Sequence, residues 1–300
     1  MQIHQLTYFV AVARTRHFTR AAELTGVSQP TLSKQIRVLE NSMGTPLFVR
    51  DRGGIELTSA GEALLPHAQR ILIDVESAQR TVHEVANLRR GRVRLGATPS
   101  MCDGLLPEAL TRFHETYPEI DLEVQEAGSR VLTRELAQGR LDVALLILPL
   151  HSDDPDIETT PVLRERLVLA SPATSELPEH VDVGDLRDLP LVMFREGYDL
   201  RDVTLRACAA AGFEPRLAVE GGEMSAVLRF VEAGLGHAVV PSMVLSTRPQ
   251  LRASQIGHPP LDRVIALAHR SSEALPLAAQ AFKAELLEHI TTHRGDLQLF

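Results

Sequence analysis

The stretch Phe18-Thr19-Arg20-Ala21-Ala22-Glu23-Leu24-Thr25-Gly26-Val27-Ser28-Gln29-Pro30-Thr31-Leu32-Ser33-Lys34-Gln35-Ile36-Arg37 decides how this chain is read. Thr19 reads as the N-cap of a short helix whose Ala21, Ala22 and Leu24 face inward. Gly26 supplies a turn, and Val27 packs beneath it. Ser28 caps the next helix, with Pro30 in its first turn, where a missing N–H costs nothing. Leu32, Ile36, Leu39 and Met43 follow at i, i+4, i+7 and i+11, one apolar helical face. Helix, glycine turn, helix is the helix-turn-helix arrangement. The first turn of its second helix offers short polar groups suited to base edges: Gln29, Thr31, Ser33 and Lys34, framed by Ser28 and Pro30. Gln can read adenine and Lys guanine, while Arg37, one turn on, suits a phosphate.

Working outward, Phe9, Val10, Val12 and Ala13 give helical contacts in Leu6–Arg14. After Gly44, Leu47-Phe48-Val49-Arg50 and Ile55-Glu56-Leu57 flank Asp51-Arg52-Gly53-Gly54. This predicts a short hairpin with a glycine tip, a wing whose Arg50 and Arg52 face the DNA backbone or minor groove. Ser59-x-x-Glu62 reads as a capping box. Leu64, Ala68, Ile71, Val75, Ala78, Val82 and Val85 are then spaced alternately four and three apart. That is a heptad seam, and its narrowness predicts a dimerising helix; the alternative is an amphipathic helix on its own domain's core.

From Arg92 the period changes. Val93–Ala97, Ile120–Glu126 and Val143–Leu148 read as strands, and Leu105–Tyr117 and Leu132–Gln138 as helices. The alternation predicts a parallel α/β sheet. A second set begins at Leu163–Ser171 and continues through strands at Leu189–Phe194, Leu217–Glu220 and His237–Val240, with helices about Arg201–Ala211 and Met224–Gly234. Strand Val264–His269 and helix Leu275–His293 close the chain. The fold class is therefore α/β: an N-terminal winged helix-turn-helix at 1–58, a linker and dimerisation helix at 59–90, and a two-lobed α/β domain at 91–300. Lobe I takes 91–162 and 266–300, and lobe II takes 163–265.

Charge follows the same division. The 300 residues carry a net charge of -8, which by itself argues against a nucleic-acid partner. Yet residues 1–58 hold seven Arg/Lys against four Asp/Glu, while 92–300 hold 20 against 31. A basic head precedes an acidic body. The N-terminus lacks a signal peptide and no apolar run approaches a membrane span, so a cytoplasmic protein without a membrane partner is expected. Two cysteines, Cys102 and Cys208, make no disulfide scaffold. No metal motif or cofactor fingerprint occurs. His289 and His293 form an i, i+4 pair, read as a solvated helix end rather than a metal site.

Beyond these patterns, Leu6-x-x-Phe9, Phe18-Thr19-Arg20-Ala21-Ala22 and Val27–Ser33 resemble the N-terminal signature of LysR-type transcriptional regulators. So do Ile36-x-x-Leu39-Glu40, Gly44-x-Pro46-Leu47-Phe48-x-Arg50 and Leu57-Thr58-x-Ala60-Gly61. Gly96…Leu106-Pro107, Gly139-x-Leu141-Asp142 and Val231-x-Ala233-Gly234-x-Gly236…Pro241 look like that family's effector domain. The resemblance implies a periplasmic-binding-protein-like two-lobed domain, promoter DNA and a small-molecule effector as partners, and homodimers or homotetramers. RNA polymerase is a further candidate partner.

Ligands of open α/β sheets lie beyond the carboxyl ends of strands. The first strand ends at Thr98, Ser100, Met101 and Cys102, and Ser129 opens a helix toward the same cleft. Phe194, Arg195 and Tyr198 follow a strand end in lobe II and should face it too. Helix N-termini and an arginine suit an anionic metabolite. In carboxylate-sensing members the resemblance matches effector-binding hydroxyls to Ser100 and Ser129; alternatively each merely caps its helix. Glu196–Asp202 and Cys208 resemble the redox segment of the peroxide-sensing subgroup. Asp199 stands where that subgroup has its reactive cysteine, so the resemblance implies that its disulfide cannot form here. Cys208 is expected to be buried and inert, and Cys102, near a helix N-terminus, to have a lowered pKa. Neither a zinc-protease motif, a nucleophile elbow nor a phosphate-binding lysine loop supports an enzyme. The acidic body argues against a nonspecific architectural DNA binder.

Overall fold

A computed structural model describes residues 1–51, 54–86, 91–150, 155–271, 275–292 and 298–299. Two compact units divide the chain near residue 87.

The first unit begins with α1 (Ile3–Thr15), α2 (Phe18–Leu24) and α3 (Gln29–Met43). His17, not Thr19, caps α2: its Nδ1 accepts the backbone N–H of Thr19 at 3.2 Å. Phe18, Ala21 and Ala22 fill the inward face of this two-turn helix, which leaves Leu24 on the outside, 69% exposed rather than packed. The α3 stripe folds as its spacing predicts, with Leu32, Ile36 and Leu39 buried. They join Leu6, Phe9 and Val12 of α1 in one core, each full burial worth about 1.5–3 kcal/mol.

The turn out of α3 is pinned from three sides. Glu40 on α3 accepts the backbone N–H of Leu47 at 2.9 Å and of Phe48 at 3.3 Å. Thr58 donates its N–H to the Leu47 carbonyl at 3.0 Å and its hydroxyl to the Pro46 carbonyl at 2.8 Å. Gly61 packs so closely that a Cβ there would stand 2.2 Å from the Leu47 oxygen. This junction joins α3, the wing strands β1 (Phe48–Asp51) and β2 (Gly54–Leu57), and α4 (Ser59–Ala86). Thr58 rather than Ser59 opens α4, because its Oγ1 accepts the Gly61 N–H at 3.1 Å. The wing pairs antiparallel as expected. The seam of α4 is used twice. Leu64, Ala68 and Ile71 pack into the head's own core, so the alternative reading holds for this half. Val75 is half-buried and Ala78 exposed, whereas the side chains of Val82 and Val85 lie outside the described residues.

The second unit begins with β3 (Gly91–Ala97), α5 (Pro99–Asp103), α6 (Leu106–Thr116), β4 (Ile120–Glu126), α7 (Ser129–Ala137) and β5 (Val143–Leu148). β3 pairs parallel with β4 and β5. Val143, Leu145 and Ile147 of β5 enter one core with Phe113, while Ala144 and Leu146 enter another with Leu132 and Leu136. Burial on both faces explains that wholly apolar strand. β6 (Ile157–Pro172) and β7 (His180–Val181) follow, then β8 (Leu191–Phe194), α8 (Asp199–Ala210), β9 (Leu217–Gly222) and α9 (Met224–Glu232). β10 (Ala238–Pro241), β11 (Leu251–Ile256), β12 (Asp262–Arg270), α10 (Leu277–Thr292) and β13 (Gln298–Leu299) complete it.

The sheet is not wholly parallel. β12 runs antiparallel to β5 and β6, and β6 antiparallel to β10 and β11. β10, β11 and β12 thus all run opposite to the long strand β6 that each of them pairs with. The 16-residue β6 belongs to both lobes: Ile157–Arg166 pairs with β12, and Leu167–Pro172 pairs with β10 and β11. The chain crosses between lobes along β6 and again between β11 and β12.

The pinned junction predicts a measurable loss. Glu40→Ala leaves the Leu47 and Phe48 N–H groups unpaired, and should lower hydrogen-exchange protection of the α3 amides about ten- to a hundred-fold. Unchanged protection would show that Glu40 does not hold the turn.

Candidate functional site

On the head, Ser28 Oγ accepts the Thr31 N–H at 3.4 Å and shares a 2.8 Å hydrogen bond with the Thr31 hydroxyl, fixing the start of α3. Gln29, Pro30, Thr31, Lys34 and Arg37 are exposed and Ser33 is half-buried. Pro30, Thr31, Lys34 and Arg37 lie on the face away from Leu32, Ile36 and Leu39, and Gln29 and Ser33 flank that buried stripe. Gln35 is committed elsewhere, its Oε1 accepting from the buried Gln5 at 3.0 Å. Arg52 and the side chain of Arg50 lie outside the described residues.

In the second unit a cavity of about 390 Å³ opens between the lobes. Of the sequence-predicted residues, Thr98, Ser100, Ser129, Arg195 and Tyr198 line it. Three do not. Met101 is fully buried in the lobe I core, Cys102 packs against that core, and Phe194 is buried in lobe II. Strand β8 carries Phe194 inward, where its ring stacks on Tyr198 at 4.6 Å.

The polar groups of the cavity are largely committed. Ser129 Oγ accepts the Ile147 N–H at 3.0 Å. Ser100, buried, accepts from Arg263 Nη2, and Arg263 Nε donates to Glu165 at 2.6 Å. This pair is deep, with side-chain exposures of 4% for Arg263 and 0% for Glu165. Arg263 also stands 4.0 Å from Asp199 at the start of α8. One guanidinium therefore reaches β6, α5 and α8, on both sides of the cleft. Burial pushes the Glu165 carboxyl above its usual range, against the pull of Arg263.

Arg195, expected to hold an acid, instead donates to Glu223 at 2.7 Å. Glu126, Glu196, Asp199, Asp202 and Glu223 line the cavity against Arg130, Arg195 and Arg263. Burial, and repulsion from Asp103 and Glu223, push the Glu126 carboxyl up. The anion-binding expectation thus meets an acidic wall. The thiol of Cys102 is not lowered as expected: burial first, then Glu126 and Asp103, raise it to about 12. Cys208 is fully buried, as expected. His289 is buried too, its Nε2 3.8 Å from Glu108, so it is not part of a solvated helix end; His293 lies outside the described residues. Among the described residues no group of three or more His, Cys, Asp or Glu is placed to hold a metal ion.

Sequence reasoning missed Arg263, Glu165, Glu126 and Glu223. A signal existed for the first two: Glu165 interrupts the apolar run of β6, and Arg263 opens that of β12. Charges inside buried strands demand partners.

A family profile described as LysR substrate binding domain matches residues 86–291. Another, bacterial regulatory helix-turn-helix protein, lysR family, matches 3–62. The chain is similar to a probable hydrogen peroxide-inducible genes activator of Streptomyces viridosporus, 34% identical over 95% of this chain and 93% of that one. Among solved structures it is similar to a full-length OxyR variant from Pseudomonas aeruginosa, with 28% identity and a TM-score of 0.72 over 97% of this chain and 94% of that one. It is also similar to full-length CbnR complexed with its target DNA, with 26% identity and a TM-score of 0.70 over 97% and 99% of the two chains.

Two outcomes test this geometry. Arg263→Met strands a buried carboxylate and should cost about 3–5 kcal/mol in urea unfolding, while adding Glu165→Leu should recover most of it. A single variant as stable as the parent would show that the pair carries no such weight. Alkylation of Cys102 in the folded chain should keep rising past about pH 10, where an ordinary thiol of pKa about 8.5 has levelled off. A plateau near that pH would contradict the burial assigned to Cys102.

Proposed function

The chain belongs to the LysR family of DNA-binding transcriptional regulators, and from that premise we propose how its parts divide the work. It is a regulator, not an enzyme. Residues 1–58 form the promoter-binding head, 59–90 the linker and dimerisation helix, and 91–300 the effector domain. The α3 face reads the major groove: Gln29 and Lys34 contact base edges, Thr31 and Ser33 support them, and Arg37 holds a phosphate. Arg50 and Arg52 of the wing add backbone or minor-groove contacts.

The observation that carries the effector reading is the 390 Å³ cavity between two lobes joined by β6 and the β11–β12 crossing. A small molecule there, touching Thr98, Ser100, Ser129, Arg195 and Tyr198, favours one arrangement of the lobes. A ligand shifts such an equilibrium only through its differential affinity for the two states. Repacking of subunits then alters how the paired heads engage the promoter. The α4 seam from Val75 onward joins two chains, and dimers of dimers follow the family pattern. Cytoplasmic location and contact with RNA polymerase belong to the same reading. No helix of the described residues is long and apolar enough to cross a membrane.

Gln29→Ala or Lys34→Ala should relax base preference at one position of each half-site and cost about 1–3 kcal/mol per bidentate contact. Arg37→Ala should weaken all sequences alike and reduce the salt slope by about one. Unaltered sequence preference in both Gln29→Ala and Lys34→Ala would remove α3 as the recognition helix.

Val75→Glu places charge in the later half of the seam without entering the head core. It should yield monomers in sedimentation and weaken promoter binding about a hundred-fold through loss of bivalency. A dimeric Val75→Glu protein that binds normally would move the dimer contact elsewhere.

A further inference from the structure

We propose that Met243 is a positioning residue for the cavity: its thioether, carried by lobe II and seated on Gly104 of lobe I, sets where the wall formed by Thr98 and Ser100 stands. The regulatory meaning of this contact rests on the reading of the cavity as the effector site.

Gly104 closes α5, and its backbone does not call for glycine. Its φ of -106° and ψ of -66° fall in the right-handed helical region, open to residues with side chains. Space is what excludes one. A Cβ on Gly104 would stand 2.8 Å from both Cγ and Sδ of Met243 and 3.2 Å from its Cβ. Cγ and Sδ lie mid-chain, so the methionine could not clear the intruder by swinging its tip. The glycine therefore serves the close approach of the thioether to the backbone.

Met243 lies on a short 3-10 turn, Ser242–Leu245, between β10 and β11. Its neighbour Val244 is buried in the lobe II core, so the turn moves with that lobe. Among the described apolar residues, Met243 alone packs against the cores of both lobes, the one that holds Phe194 and the one that holds Phe113. On the other side of the contact, α5 is a single hydrogen-bonded turn. The Cys102 N–H donates to the Thr98 carbonyl at 3.1 Å, and the Gly104 N–H to the Ser100 carbonyl at 3.0 Å. Thr98, Pro99 and Ser100 line the cavity at its start, and Gly104 meets Met243 at its end. Ser100 is thus held twice: its side chain by Arg263, and its backbone, through Gly104, by the lobe II core. A displacement at either end of α5 reaches the other through one turn of backbone. Methionine suits the contact because its unbranched chain keeps the sulfur seated over a range of lobe angles, where a β-branched side chain would fit one.

The test uses the full chain with a spin label on each lobe, at Glu115→Cys on α6 and Ala210→Cys on α8, both exposed positions. Cys208 is fully buried and the Cys102 thiol is raised to about 12, so labelling at about pH 7 goes to the introduced cysteines. Excess unlabelled chain confines the measured distance to one subunit. Gly104→Ala should shift the mean distance between the labels by about 2 Å. Adding Met243→Ala should return it toward the parent value, because the new methyl group takes the space that the thioether leaves. Met243→Ala alone should broaden the distribution, and Met243→Leu, of similar volume, should keep it near the parent's. Restoration by a second truncation is the mark of positioning, since independent losses of core packing add. A distance that Gly104→Ala leaves unchanged, or that the added Met243→Ala does not restore, overturns the proposal. So does a Met243→Ala distribution no broader than the parent's. Promoter affinity of the same variants separates this failure from failure of the effector reading. Affinity that changes in Gly104→Ala and recovers in the double variant, in step with the distance, supports both. A distance that shifts and returns while affinity stays constant keeps the Met243 contact and sinks the reading of the lobes as the control on the heads.

Discussion

The buried pair between Arg263 and Glu165 is the interaction on which the regulatory half of the molecule turns. It joins β12 to β6 at their paired positions, next to the point where β6 leaves one lobe for the other. Two charges removed from water at such a place cost several kcal/mol each unless matched closely. The structure matches them with a 2.6 Å bond, and extends the arginine to Ser100 on one side and toward Asp199 on the other. The lobes therefore meet at a polar contact whose geometry has little slack.

The acidity of the cleft follows from the same economy of partners. Several cations near it are assigned locally: Arg263 to Glu165, Arg195 to Glu223, and Arg201 to Glu220 and the Phe194 carbonyl. The carboxylates of Glu126, Glu196, Asp199, Asp202 and Glu223 outnumber the arginines of the lining. The head obeys the opposite rule, with Lys34 and Arg37 exposed on α3.

Much of this was legible in the sequence, for identifiable reasons. Helix α3 announced itself because its cap, its proline and its apolar stripe agree locally. β5 was readable for the same reason, an unbroken apolar run between turn signals. The failures are failures of distance or direction. Periodicity tells that a strand is buried but not which way it runs, so the antiparallel β12 passed as parallel. Leu64, Ala68 and Ile71 satisfy a heptad and a domain core equally well, and spacing cannot divide them. Glu165 and Arg263 are 98 positions apart, and Arg195 and Glu223 are 28 apart. An arginine read alone looks available; only the fold shows it occupied. The family resemblance marked Glu40, Thr58 and Gly61, and the structure supplies their physics in the pinned turn around Leu47.

That turn has a mechanical consequence. The start of α4 is locked to the end of α3 by backbone hydrogen bonds on Leu47 and by a glycine too tightly seated to accept a methyl group. The first half of α4 is further embedded in the same core. A twist applied along α4 would therefore reach α3 as rotation of a single rigid body, without backlash. Helix α3 and the first half of α4 act as one gear, and small angular changes of that half become displacements of the exposed α3 face.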